Sequence, residues 1–141
     1  MERPEAFRLR LPLLPTAADI DALGHVNNSV YVRWLQEAGI AHWQALATAD
    51  EQARLFWVVV RHEIDFRRES LEGEALVAET WVGAARGARF DRHVRILGPA
   101  GDVRAEAVTT WVLIDRPSRR PLRVPAELIA RFRETAVANP A

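Results

Sequence analysis

Cysteine is absent from this 141-residue sequence, which excludes disulfides, thiolate metal sites and cysteine nucleophiles together. Lysine is absent as well, because all 19 basic residues are arginine; Schiff-base chemistry is excluded with it. Arginine-only usage and abundant alanine fit a GC-rich bacterial genome, and the planar guanidinium fork also suits phosphate better than an ammonium group does. A surplus of one charge sign is missing: 19 acidic residues balance the arginines. Nothing global therefore favours nucleic acid or an anionic membrane as a partner. No apolar run approaches the roughly 20 residues of a membrane span. The leucines from Leu9 to Leu14 are interrupted by Pro12, in a run too short for a signal-peptide core. These absences lead us to expect a cytoplasmic protein. Repeats, low-complexity tracts and linkers are also missing, so we expect a single domain over residues 1–141.

Against these absences stands an ordinary globular composition, 49% apolar and 27% charged, enough to build a core. Residues 7–13 place Phe7, Leu9, Leu11 and Leu13 at every second position, the period of a half-buried strand, and Pro12 suggests an edge or a strand terminus. Residues 28–47 switch to a helical period: Val30, Trp34, Ala38, Ala41 and Ala45 form one stripe, widened by Tyr31, Leu35, His42 and Leu46. Only Arg33, Glu37 and Gln44 remain for a wet face, so this helix is expected to be largely enclosed. Asn27 or Asn28 can cap its start. Gly39 costs about 1 kcal/mol relative to alanine in a helix interior, which points to close packing there.

Strands dominate the remainder. Over residues 56–67 we expect Val58, Val60, His62, Ile64 and Phe66 to share the inward face, with Trp57 and Val59 opposite them, exposed or buried against another subunit. Further strands are expected over residues 75–82 and 89–97. A turn at 98–102 leads to a long strand over 103–115 whose apolar residues on both sides suit a central position. After an arginine- and proline-rich loop, Pro125 opens a short helix running to about Thr135. This order predicts an α+β domain with an antiparallel sheet curled around one helix.

The segment richest in chemistry is Asp19-Ile20-Asp21-Ala22-Leu23-Gly24-His25-Val26-Asn27-Asn28. Two carboxylates, a histidine and two asparagines crowd the loop entering the long helix. A helix start offers unpaired N–H groups and the positive end of the dipole. It can stabilise an oxyanion beside a carboxylate acting as base or nucleophile. A simpler reading stays open on the residues alone: Asp19 or Asp21 makes an Asx-turn and the asparagines cap the helix.

This segment resembles the D-x-D-x-x-G-H-V-N-N signature of the hotdog-fold thioesterases, the 4-hydroxybenzoyl-CoA thioesterase-like and acyl-carrier thioesterase group. Asn28-Ser29-Val30-Tyr31 with Trp34, Leu35 and Glu37 is similar to the family's helix start. His62-Glu63-Ile64-Asp65-Phe66, Gly73, Trp111-Val112-Leu113-Ile114-Asp115 and Arg123-Val124-Pro125 resemble later blocks in the same order. The resemblance implies a five-stranded antiparallel sheet around a central helix. It implies hydrolysis of an acyl-CoA or acyl-carrier-protein thioester without metal or other cofactor, in a homodimer or homotetramer with sites between subunits. On this reading Asp21 is the catalytic carboxylate and the backbone N–H near Asn28 polarises the thioester carbonyl. Asn27 and His25 order the loop, with His25 a further catalytic candidate, and Asn27 and Tyr31 are candidate substrate contacts.

Arg86 and Arg89 flank a turn between two strands and could hold CoA phosphates as a forked donor pair, or form a plain solvated turn. Arg116, Arg119, Arg120 and Arg123 make a second basic loop with the same two readings. His25, His42, His62 and His93 lack ligand spacing for zinc. A hotdog-fold hydratase acting on enoyl or hydroxyacyl thioesters is the second enzymatic reading, because Asp21 and His25 can be taken for an acid–base pair. A non-catalytic acyl-thioester-binding protein is the third, against which the carboxylate of Asp21 argues.

Overall fold

A computed structural model of the chain describes residues 9–138. The elements run β1 (Leu9–Leu13), a single 3-10 turn (Ala17–Asp19), α1 (Asn28–Leu46), α2 (Ala49–Arg54), β2 (Leu55–Phe66), β3 (Leu76–Arg86), β4 (Arg89–Leu97), β5 (Val103–Asp115) and α3 (Ala126–Glu134). The strands form one five-stranded sheet in the order β1-β3-β4-β5-β2, and every pairing is antiparallel. The expected architecture is therefore present: a sheet curved around one long helix. Phe7, at the start of the expected first strand, lies outside the described residues.

Local chemistry explains the helix. Asn27, not Asn28, is the cap: its Oδ1 accepts from the Ser29 N–H at 2.9 Å. Small residues then let α1 settle on the sheet, with Ala38 facing Ala78, Ala105 and Ala107 within one buried cluster that Trp34, Leu35, Val94 and Ile96 fill. Gly39 brings the backbone closest, because a Cβ there would lie 2.9 Å from Cζ2 of Trp111 and 3.3 Å from Nε of Arg92. A second cluster joins Leu55, Val82, Phe90 and Leu113 to Leu128 and Phe132 of α3.

Three expectations need correction. First, α1 is not enclosed: Ile40 is 47% exposed and Ala45 is exposed too, because five strands cover only one side of the helix. Second, α2 was not anticipated. It starts on a capping box in which Thr48 and Glu51 exchange side-chain-to-backbone bonds of 2.9 and 3.0 Å. Third, β2 does not keep one face along its length. Its register against β5 shifts between Val59 and Arg61, so Val60 is the extra residue of a bulge, and a bulge exchanges the faces on either side of it. Before the bulge Trp57 points inward, 5.7 Å from the Trp43 ring; after it His62 bonds Thr109 at 2.8 Å and Ile64 packs on the core. Val58 and Val60, expected inside, are 41% and 49% exposed. β3 also runs past residue 82 to Arg86.

Candidate active site

The loop between β1 and α1 is held from both sides. Asp19 is the buried carboxylate: it is 6% exposed, accepts from the Thr16 N–H at 2.9 Å and pairs with Arg33 at 3.0 Å. The Thr16 amide leads the effects that hold its carboxyl below the ordinary 3.8; Arg33 adds to it and burial opposes both. Its own carbonyl accepts from the Asn27 N–H at 2.9 Å, so Asp19 fixes the entry to α1. We expect Asp19→Ala to lower the unfolding free energy by about 1–2 kcal/mol, the range for a lost charged cap or hydrogen bond. A depressed carboxyl contributes stability above its unfolded value and loses it as pH falls through the folded one. The gap between wild type and variant should therefore close below about pH 3.8, as urea titrations at neutral and acid pH will read.

Asp21 is half-buried and turned the other way. Its Oδ1 accepts from the Leu23 N–H at 2.9 Å, an Asx-turn, and its Oδ2 receives the Asn27 amide at a long 3.4 Å. Gly24, at φ 87°, closes the turn behind it. The capping interpretation of this loop is thus satisfied by Asn27, and Asp21 retains a carboxylate oxygen with only a weak partner. One residue on, the Asn28 N–H makes no hydrogen bond among the described residues, the ordinary state of a first-turn donor. The loop thus carries this carboxylate into the start of a 19-residue helix, the positive end of its dipole.

His25 shares no side-chain bond with Asp21; its ring lies 3.9 Å from Glu69. His25, Asn28 and Tyr31 line a cavity of about 260 Å³ with Phe66, Arg67 and Arg68. Tyr31 contributes only its ring, since its hydroxyl donates to Ser70 Oγ at 2.8 Å and burial pushes the phenol up. Arg67, Arg68 and Ser70 did not emerge from the sequence; the signal was the charged run that follows β2.

Arg86 and Arg89 lie elsewhere. β3 begins beside the motif loop, where the Gly73 N–H reaches the Pro15 carbonyl at 3.0 Å, and it carries Arg86 to the opposite end of the sheet. Eleven residues of strand at about 3.3 Å each separate the two regions by roughly 30 Å. Arg86 is exposed and pairs with Asp91 at 3.0 and 3.3 Å. The two basic loops form one surface: the Val124 N–H binds the Gly87 carbonyl at 2.9 Å, and Arg116 and Arg119 both lie over the Phe56 ring. Beside this basic end opens a second cavity of about 700 Å³, walled by α1, α3 and the inner face of the sheet. Among the described residues no three His, Cys, Asp or Glu side chains group to hold a metal, and no helix is long and apolar enough to cross a membrane.

A family model described as the thioesterase-like superfamily matches residues 15–132, a span that includes the motif loop, both cavities and the basic end. The chain belongs to that superfamily. The long-chain acyl-CoA thioesterase FadM of Escherichia coli (strain K12) is 30% identical over 115 residues, which cover 77% of this chain and 85% of FadM. Two solved structures share the fold. A thioesterase from Thermus thermophilus, complexed with coenzyme A and zinc, superposes with a TM-score of 0.79 at 24% identity, over 92% of this chain and 94% of that one. A 1,4-dihydroxy-2-naphthoyl-CoA thioesterase from Synechocystis gives a TM-score of 0.73 at 20% identity, over 88% of this chain and 94% of the other. The chain is accordingly a thioesterase-class enzyme with the hotdog fold. Asp21 and the basic end that carries Arg86 lie at opposite ends of the sheet.

Proposed function

We propose that this chain is a cytoplasmic, single-domain, metal-independent acyl-CoA thioesterase in which Asp21 is the catalytic carboxylate. The observation that supports this reading is the Asp21 carboxylate, whose Oδ2 keeps only a long 3.4 Å bond from the Asn27 amide in the loop that leads into the start of α1. Asp21 activates a water, or itself attacks, at the thioester carbonyl; the developing oxyanion accepts from the Asn28 N–H, and the thiolate departs. Loss of one such donor typically costs about 2.7–4 kcal/mol. Asn27 and Asp19 hold the loop, and His25 borders the cavity that receives the reacting group.

The site is completed by a second copy. β2 is a sheet edge, and a two-fold antiparallel pairing of two β2 edges sets the motif end of one chain beside the basic end of the other. Asp21 then acts on an acyl-CoA whose phosphates meet Arg86 and Arg89 of the other chain. A thiol-release screen over acyl-CoAs of graded length and aryl-CoAs tests the activity, with release expected for at least one class. Hydration of a crotonyl thioester without thiol release would establish the hydratase instead, although no side-chain hydrogen bond links Asp21 to His25.

Replacing both Arg86 and Arg89 with alanine should raise KM for acyl-CoA roughly three- to tenfold, because exposed ion pairs are worth about 0.2–1 kcal/mol each. kcat should stay nearly constant, and the salt dependence of kcat/KM should weaken. An unchanged KM would shift the phosphates to the adjoining Arg116 to Arg123 loop. Inertness of both loops would argue for a substrate carried on acyl-carrier protein.

A further inference from the structure

The larger cavity contains a charge that its apolar walls do not explain. Arg92 lines it among Trp43, Trp57, Phe90 and Trp111 and is only 7% exposed. One nitrogen of its fork is committed: Nη1 donates to His42 Nδ1 at 2.9 Å and to Thr80 Oγ1 at 3.0 Å. A guanidinium carries five N–H donors, so the three on Nε and Nη2 make no hydrogen bond among the described residues. No carboxylate of those residues forms an ion pair with Arg92. Asp91, next to it, also lines the cavity, but Arg86 and Thr110 occupy its oxygens at 3.0 Å. The other cation on the cavity wall is Arg116, held on the Ala53 carbonyl at 3.1 Å. Burial draws the Arg92 guanidinium down to about 10, which leaves it charged at neutral pH.

Proteins seldom bury a charge without a counter-charge, because the lost hydration is not recovered otherwise. His42 and Thr80 orient Arg92 but do not neutralise it, while α1 covers it from above. Gly39 permits this, as a Cβ there would crowd both Arg92 and Trp111. The fork is thus preorganised towards a cavity whose other walls are mainly aromatic and aliphatic, a polar group fixed at one point of an apolar pocket.

We propose that this cavity, brought beside the Asp21 of the other chain by the two-fold pairing, takes the far end of the acyl group and that Arg92 selects acyl groups ending in a carboxylate. The guanidinium fork matches a carboxylate by paired, charge-assisted hydrogen bonds, and the aromatic walls pack the methylenes between it and the thioester. The inference rests on the thioesterase reading above and adds to it the chemistry of the acyl terminus.

The test compares two acyl-CoAs matched in length, one ending in a carboxylate and one in a methyl group, with wild type, Arg92→Gln and Arg92→Lys. Wild type should favour the carboxylated substrate roughly tenfold or more in kcat/KM, as a site built to hydrogen-bond one group discriminates against its absence. Arg92→Gln should lower that ratio at least tenfold, and Arg92→Lys should retain part of it. A wild-type ratio at or below unity overturns the proposal. So does an Arg92→Gln ratio equal to wild type, whether both rates fall or neither does, because Arg92 would then serve the fold or the CoA moiety common to both substrates. If Arg92→Gln does not fold, the wild-type and Arg92→Lys ratios decide in the same way. Should neither substrate release thiol, the hydrolytic reading fails by itself. Calorimetric Kd values for the same two acyl-CoAs then report the preference: carboxylate-selective binding supports the Arg92 site, and equal binding sinks it.

Discussion

Asp21→Asn should lose at least two orders of magnitude in kcat while melting close to wild type. The substitution is informative because it keeps the loop intact. An asparagine Oδ1 still accepts from the Leu23 N–H, so the Asx-turn survives, and the helix cap belongs to Asn27 and is untouched. What disappears is the charge and with it the ability to take a proton or attack a carbonyl. General acid–base catalysis typically contributes about 10²–10⁴-fold, which sets the expected scale. Asp21→Ala should be equally inactive and somewhat less stable, since it also removes the turn. Retention of more than about a tenth of wild-type kcat, a loss below 1.36 kcal/mol, would show that Asp21 is not essential. Asp19 provides the contrast: it lies two residues away, is more deeply buried, and its removal should register in unfolding more than in turnover. If Asp19→Ala were the inactive variant and Asp21→Asn the active one, the assignment of the two carboxylates would be reversed.

The division between these two acids was legible only in part. Sequence pattern located α1, β4 and β5 almost to the residue, because their apolar periods run uninterrupted. It placed the motif loop at the start of α1, because a signature and a helical stripe adjoin there. It failed where one residue broke a period: nothing in Val58-Val59-Val60 announces a bulge, as all three valines suit either face. The helix α2 was missed for lack of an apolar stripe, although Thr48 and Glu51 spell its capping box. The network at Arg92 was beyond reach, since His42 and Arg92 are 50 positions apart and neither stands in a motif. The cavity that Trp43 and Trp111 wall depends on how far α1 stands from the sheet. No pattern in either element encodes that distance.

Exposed β2 leads to the second large effect. An unpaired edge of twelve residues offers backbone donors and acceptors to any other strand, and soluble proteins usually blunt or cover such edges. Here it carries Val58 and Val60, 41% and 49% exposed, and Ile40 of α1 is exposed as well. Full burial of a valine-sized side chain is worth about 1.5–3 kcal/mol, and a two-fold pairing would bury each of these twice. Wild type should therefore be a dimer or tetramer at micromolar concentration. Val58→Glu with Val60→Glu should shift it towards monomer, because each interface would then gain four carboxylates near its symmetry axis. Both valines already lie towards solvent, so folding of the single chain should be little affected. Activity should fall by at least a hundredfold with the assembly, since the carboxylate and the basic end stand roughly 30 Å apart along one sheet and cooperate only across the pairing. Light scattering and kcat/KM measured on the same samples test this together. A variant that is monomeric yet fully active would mean that one chain holds a complete site, and the roughly 30 Å separation would then have to be spanned by a single subunit.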